Sequence, residues 1–279
     1  MEFPAPKKTT DRSNFLGSAP LLLALLILGI GARGAFGQGG PPLITNDPGT
    51  PGDKNWEINL GVMPVLTEHA NLLQIPQIDI NYGLGDRIQL TWEVPFVWQS
   101  AAGQANGTGW SNAFPGVKWR FFDQGENGWS ISTFPQLEIG GSQASVRQGL
   151  AQSGTRFLLP FEVSRQAGPL ELNFEAGYFF PLDASKSHEE RIMGFAMGHL
   201  FRPKFEAIGE IYDDKVMGAA PHDTTFDVGG RYEFHKGLLL LFMAGRSFSG
   251  NSSGQPEFLG YVGLQILLER YGRALHAAH

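Results

Sequence analysis

Polar and apolar residues alternate from residue 87 to residue 98, directly after a turn at residues 83–86. The polar members are Arg87, Gln89, Thr91 and Glu93. A period of two is typical of a β-strand and places one kind of side chain on each face. One face is therefore expected to meet water. The other is expected to meet either the second sheet of a soluble sandwich or the lipid around a membrane barrel.

Eleven further segments show the same alternation, although residues 189–201 follow it less regularly. Their bounds are 56–66, 72–82, 113–122, 129–140, 155–165, 170–180, 189–201, 205–212, 225–234, 238–248 and 257–268. The pattern predicts about twelve strands of about 9 to 12 residues, a length that crosses a bilayer when the strand is tilted.

The connections between these segments alternate in length. Short turns are predicted at 83–86, 123–128, 166–169, 202–204 and 235–237, and longer polar loops at 99–112, 141–154, 181–188, 213–223 and 249–256. Short turns at one rim and long loops at the other are typical of bacterial outer-membrane barrels, whose short turns lie in the periplasm. We therefore predict an all-β fold, a transmembrane antiparallel up-and-down β-barrel, and a location in the bacterial outer membrane.

The first 37 residues have the pattern of a cleaved signal peptide. Lys7, Lys8 and Arg12 precede an aliphatic run at 19–30, and a small-x-small cleavage site follows at 35–37. The run is shorter than the ~20 residues that a membrane helix needs. The chain is thus expected to comprise a signal peptide (1–37), an irregular periplasmic N-terminal lead (38–55), the barrel (56–268) and a tail (269–279).

Composition and charge limit the functional classes. The chain has 279 residues, is 42% hydrophobic and 17% charged, and contains no cysteine, so disorder and thiolate metal sites are not expected. Removing four basic and two acidic residues with the signal peptide, from totals of 21 and 27, leaves 17 basic and 25 acidic residues and a net charge of −8. An acidic surface argues against nucleic acid as a partner.

Two short stretches carry a resemblance to a known family. Residues 47–52 read Asp-Pro-Gly-Thr-Pro-Gly and run into Asn-Trp-Glu-Ile-Asn at 55–59, and an Asn-x-Gly-x-x-Asp turn at 81–86 precedes Glu-Val-Pro at 93–95. This resembles the outer-membrane transporters grouped as the "MetA-pathway of phenol degradation" family, specifically over residues 44–98. The resemblance implies an outer-membrane barrel and a link to small aromatic or hydrophobic compounds.

In a barrel, the polar phase of each strand is expected to face the lumen. The candidates for lumen lining or selectivity are Arg87, Gln89, Glu93, Lys118, Arg120, Glu138, Arg156, Glu162, Glu175, Glu210, Asp227 and Arg231. Arg87, Glu93, Lys118 and Arg120 are expected to form one cluster, because their strands are neighbours. These residues form either a structural polar core, paired across strands, or an acidic lining that favours cations and polar solutes.

The lead carries its own candidates, Asn46, Asp47 and Asp53, in a stretch stiffened by prolines. The stretch is either a leader without a structural role or a plug that folds into or caps the periplasmic mouth of the barrel. Its acids lack the spacing of a calcium loop, and no metal or cofactor is expected.

The most favoured function is a channel for passive uptake or efflux of small hydrophobic or aromatic solutes. A plugged structural or adhesive barrel is an alternative, as is a lipid-modifying enzyme. For an enzyme, His199 is the one histidine well inside a predicted strand, and it has no serine two residues away. The expected partners are outer-membrane lipid, lipopolysaccharide, the barrel-assembly machinery and a small-molecule solute, while the oligomeric state stays open.

Overall fold

The computed structural model describes residues 40–101, 106–125, 128–183, 187–218, 222–248 and 255–269. The predicted signal peptide and residues 270–279 of the predicted tail lie outside these ranges. The strands are β1 (Trp56–Leu66), β2 (Ala70–Leu84), β3 (Ile88–Ala101), β4 (Gly107–Trp110), β5 (Phe114–Asp123), β6 (Trp129–Thr133), β7 (Gln136–Ile139), β8 (Thr155–Ala167), β9 (Leu170–Pro181), β10 (Glu190–Arg202), β11 (Phe205–Val216), β12 (Asp223–His235), β13 (Leu238–Ser247) and β14 (Phe258–Leu268). A short helix, α1 (Gln143–Arg147), lies between β7 and β8, and no described helix is long and apolar enough to cross a membrane.

The sheet closes into a barrel because β1 pairs with both β2 and β14. All pairings are antiparallel, and consecutive strands of the wall are neighbours. Two wall strands are each broken into two pieces: β4 and β5 both pair with β3, and β6 and β7 both pair with β8. The wall therefore has twelve strands, which confirms the predicted antiparallel barrel.

An aromatic ring faces the lumen at the break between β6 and β7. Pro135 lies at the break, and proline cannot donate a hydrogen bond to a ladder. Phe134 is buried, and the ammonium of Lys118 lies 4.8 Å from the centre of its ring. Phe134 shares the inward phase of Ser132 and Gln136, so its ring stays inside the barrel although the strand is interrupted.

The outer surface of the barrel is apolar. All six tryptophans of the chain have exposed side chains, as do many large aliphatic and phenylalanine residues on the outward phase of the strands. The inward phase is instead rich in buried carboxylates and amides. An apolar exterior around a polar interior is the arrangement of a membrane barrel and the inverse of a soluble protein.

The two rims differ in their connections. The turns after β2, β8, β10 and β12 are short, whereas loops of more than five residues follow β9 and β13, and the β7–β8 loop contains α1. The β1–β2 connection is an exception on the long-loop rim, because Thr67 N donates to Ala70 O at 2.9 Å and closes a tight turn. The short-turn rim, which contains the β2–β3 turn, is the periplasmic rim by this criterion.

We expect the variant Val228→Arg to destabilise the barrel. Val228 lies near the middle of β12 and is 53% exposed on the outward face. An arginine at the middle of a lipid-facing strand costs about 2–4 kcal/mol. Urea unfolding in lipid vesicles measures the loss, with Met217→Arg, at an exposed position after β11, as the matched control. Equal stability of the two variants would show that Val228 does not face lipid.

Candidate functional site

The N-terminal lead runs from the periplasmic rim into the lumen. Its part nearest to β1 lies against the β2–β3 turn, where Thr50 Oγ1 donates to Asp86 O at 3.0 Å and Gly85 N donates to Asp53 Oδ1 at 3.1 Å. A Cβ atom on Gly83 would lie 1.8 Å from Gly52 O, so this close approach requires glycine. Residues 40–49, here called the lumen segment, lie among the inward-facing side chains.

Two carboxylates bind the backbone of the lumen segment. Glu210 accepts hydrogen bonds from Ile44 N at 2.6 Å and from Thr45 N at 2.8 Å, one to each carboxylate oxygen. Glu175 accepts a third from Asn46 N at 2.8 Å. Hydrogen bonds from N–H groups to ionised carboxylates are among the stronger ones in proteins. Three consecutive backbone donors of the segment are thus bound by β9 and β11.

Two basic side chains bind carbonyl oxygens of the same segment. Lys118 Nζ donates to Asp47 O at 2.5 Å, and Arg231 Nη2 lies 3.4 Å from Gly40 O. Each base also has an acidic neighbour, because Lys118 Nζ is 3.9 Å from Glu162 Oε2 and Arg231 Nη1 is 3.3 Å from Glu206 Oε2. Opposite sides of the lumen therefore contact the segment through charges of both signs.

Close packing fixes the depth of the segment. Thr45 has no exposed surface, and a Cβ atom on Gly194 would lie 2.2 Å from Thr45 Oγ1. Leu43 packs in a buried cluster with Ala196 and Ile208. A small residue at 194 is therefore needed where the segment touches β10.

Most of the residues predicted to line the lumen are buried on the inward face. They are Gln89, Lys118, Glu138, Arg156, Glu162, Glu175, Glu210, Asp227 and Arg231, with Glu93 half-buried beside them. Asp227 lies directly opposite Glu210 on the neighbouring strand. Glu162 accepts a hydrogen bond from Ser132 Oγ. Of the three candidates in the lead, Asn46 and Asp47 lie in the lumen segment, whereas Asp53 lies at the β2–β3 turn.

The expected cluster of Arg87, Glu93, Lys118 and Arg120 does not form. Arg87 is exposed in the turn before β3, so it lies at the rim rather than in the lumen. The guanidinium of Arg120 also lies at the rim. Its Nη2 donates to Asp86 O at 2.6 Å, and its Nε lies 3.3 Å from Asp123 Oδ2. The alternation alone places these residues in phase with Gln89 and Lys118 but does not show where the strands leave the interior.

A second network lies nearer to the long-loop rim. Arg156 donates from Nε to Glu138 Oε2 and from Nη1 to Glu190 Oε2, each at 2.5 Å, and its guanidinium lies 4.2 Å from the ring centre of Phe179. Asn112 Nδ2 donates to Glu138 Oε1 at 2.7 Å. The network therefore connects three strands with the loop before β5.

Tyr261 is a lumen residue that sequence reasoning missed. Its ring is buried, and Cβ atoms on Gly61 and Gly263 would lie 2.5 and 2.6 Å from it. These two glycines face each other across β1 and β14, so they leave a gap in the inward row that the ring fills. Two glycines at inward positions of paired strands were the signal that could have revealed it.

Between the lumen segment and the long loops lies a vestibule of about 510 Å³. Pro41, Pro42 and Leu43 of the lumen segment form part of its lining, and Phe114 and Leu150 add apolar surface. The segment therefore separates the vestibule from the short-turn rim.

His199 is buried beside Phe201, whose ring centre lies 4.4 Å from that of the imidazole. No group of three or more His, Asp or Glu side chains within the described ranges is placed to hold a metal ion.

No family model matches this chain, and no curated protein matches it in sequence. Solved structures are similar in fold. An outer membrane channel from Pseudomonas putida F1 has a TM-score of 0.65 at 12% identity, with 82% of this chain and 99% of that chain covered. The NanC porin has a TM-score of 0.51 at 9% identity (77% and 100% covered), and the KdgM porin 0.50 at 14% (75% and 98%).

These likenesses show the fold. Together with the apolar exterior, they confirm the predicted type, a barrel of the bacterial outer membrane. The relation to the MetA-pathway family stays a prediction, and what this chain shares with the solved channel and porins is the fold.

Proposed function

We propose that this protein is an outer-membrane channel for small solutes and that the lumen segment is its plug. The observation that carries the proposal is the binding of three consecutive backbone N–H groups by Glu175 and Glu210, inside a barrel shared with channels and porins. The plug lies between the vestibule and the short-turn rim, on the path that a solute would take.

The chemistry of the contacts suits a reversible plug. Charged side chains in an interior are costly unless they are paired, and a permanent core is more easily built from apolar residues. Here Lys118, Glu175, Glu210 and Arg231 bind backbone groups, which water can replace when the segment leaves. The wall left behind would be a polar, hydrated lumen of the kind that porins have.

The size and lining of the vestibule favour small, partly apolar molecules as the transported solutes. Its volume of about 510 Å³ falls within the range of small-molecule sites. Apolar side chains from the plug and the loops, such as Pro42, Phe114 and Leu150, lie beside the amides of Gln74 and Gln77. A hydrophobic or aromatic body with a polar substituent fits such a lining.

Planar-bilayer recording of the chain and of a variant lacking residues 40–49 tests the proposal. This deletion retains residues 50–55, which pack on the β2–β3 turn. We expect rare or small openings of the full chain and a stable conductance, several times larger, of the variant. A folded variant that stays sealed would remove the channel function and favour the alternative, a structural or adhesive barrel with a filled lumen.

A further inference from the structure

Three carboxylates lie together on the lumen wall formed by β1, β2 and β3. Asn59, Asp79 and Glu93 face one another in register across the three strands, and Glu57 lies opposite Asn81 in the next inward row. Because inward side chains of paired strands are close neighbours, the register brings three carboxyl groups together on one side of the lumen.

The partners of these carboxylates are amides. Asn59 Nδ2 donates to Glu57 Oε1 at 3.1 Å and to Asp79 Oδ2 at 2.9 Å. Gln77 Nε2 donates to Glu93 Oε1 at 3.0 Å. Within the described ranges, no lysine or arginine nitrogen lies within 4.0 Å of the three acids. They differ in this from Glu162 and Glu206, which lie beside Lys118 and Arg231.

Two buried acceptors in the same row lack a donor. Asn59 is 1% exposed and Asp79 is 6% exposed, yet Asn59 Oδ1 and Asp79 Oδ1 have no hydrogen-bond partner among the described residues. Buried acceptors are nearly always satisfied in folded proteins. Oxygen atoms without donors, next to carboxylates that have no lysine or arginine beside them in the described ranges, are the environment that a cation or an ammonium group satisfies.

Two cavities lie against this wall. The vestibule and a smaller chamber of about 80 Å³ are both lined by Glu93 and, on the opposite side, by Gly40, Pro41 and Asn46 of the plug. Glu57 and Asp79 line the chamber. Lys118 lines it too, but its ammonium is bound to Asp47 O. The open space beside the plug therefore follows the carboxylates.

We propose that this wall is a cation path: small monovalent cations, including primary ammonium groups, bind along Glu93, Asp79 and Glu57 and pass between the plug and the β1–β3 wall while the plug stays bound. The inference rests on the proposed channel function. Carboxylate rings favour cations in a pore, and conduction requires sites weak enough for the ion to leave. The lack of a closed metal cluster among the described residues fits such weak binding.

The reversal potential of the full chain in a potassium chloride gradient tests this. We expect a potassium-to-chloride permeability ratio of about 10, and a ratio near 1 in the variant Asp79→Asn with Glu93→Gln, because the amides keep the size and remove the charge. The variant Glu68→Gln, in the exposed β1–β2 turn, is the matched control and should keep the ratio of the parent chain. Replacement of potassium by methylammonium should support current in the parent and not in the double variant.

The outcomes separate the two proposals. A parent chain that conducts without cation preference, or a preference that survives in the double variant, overturns the cation path and leaves the channel. A silent parent with a conducting plug-deletion variant also overturns the path, because nothing then passes beside the plug. Silence of every folded variant overturns the channel and the path together.

Discussion

Replacement of both Glu175 and Glu210 by alanine is expected to open the channel. The change leaves Ile44 N, Thr45 N and Asn46 N without their acceptors in a closed interior. Each unsatisfied buried donor costs about 1–3 kcal/mol, so the plugged state loses on the order of several kcal/mol relative to a state in which water solvates the segment. That difference shifts the equilibrium between plugged and open states by more than about a hundredfold.

Single-channel recording measures this shift as an increase in open probability. The paired substitutions Glu175→Gln and Glu210→Gln retain an acceptor oxygen at each position and should open the channel less. Glu68→Ala, at an exposed turn, is the control for the loss of an acid. Heat-modified migration on gels checks that every variant is a folded barrel. A folded double-alanine variant with the open probability of the parent would show that these contacts do not hold the plug.

The strands of the barrel wall were predictable because the pattern that indicates each strand lies within that strand's own segment of sequence. An alternation of polar and apolar residues is enough to predict each strand. The position of a residue such as Val228 in that alternation predicts whether its side chain faces outward or inward. The alternating loop lengths then distinguish the rims. The twelve-stranded barrel follows from these two patterns without knowledge of any tertiary contact.

The interior was less predictable because its contacts join distant residues. The residues bridged by the Glu210–Ile44 hydrogen bond are 166 positions apart, and the lead has no periodicity that would indicate which wall it meets. The pattern could identify Glu210 as inward-facing but not as a ligand of a backbone amide. The position of Arg87 shows the same limit, since its phase is inward while the strand begins only at Ile88.

The alternation of polar and apolar residues also did not predict where a strand of the wall is interrupted. The predicted segment 129–140 is divided into β6 and β7, with Phe134 inside the barrel. A proline at 135 indicates a weak point in a strand but does not show how the ladder resumes. The ring of Phe134 packs against the ammonium of Lys118, and that ammonium donates to Asp47 O in the plug.

Arg156→Ala is expected to destabilise the vestibule side of the barrel more than the loss of one surface charge would. The guanidinium binds Glu138 and Glu190, both largely buried, and truncation leaves two carboxylates without their counter-ion. Removal of one partner from a buried ion pair costs about 3–5 kcal/mol. The aromatic contact with Phe179 is lost as well.

The loss of stability in Arg156→Ala should affect the loops as well as the wall of the barrel. Glu138 also accepts from Asn112, whose Oδ1 accepts from Gln152 N at 2.8 Å, so the arginine acts on both loops that line the vestibule. Urea unfolding in vesicles should therefore show a lower midpoint for Arg156→Ala, and limited proteolysis should cut near residues 149–152 at lower denaturant. Arg202→Ala, exposed at the opposite rim, is the control, and Arg156→Lys should recover only part of the stability because lysine cannot bind two carboxylates in a fixed plane. If Arg156→Ala were as stable as its control, the contacts of Arg156 with Glu138 and Glu190 would not stabilise this side of the barrel.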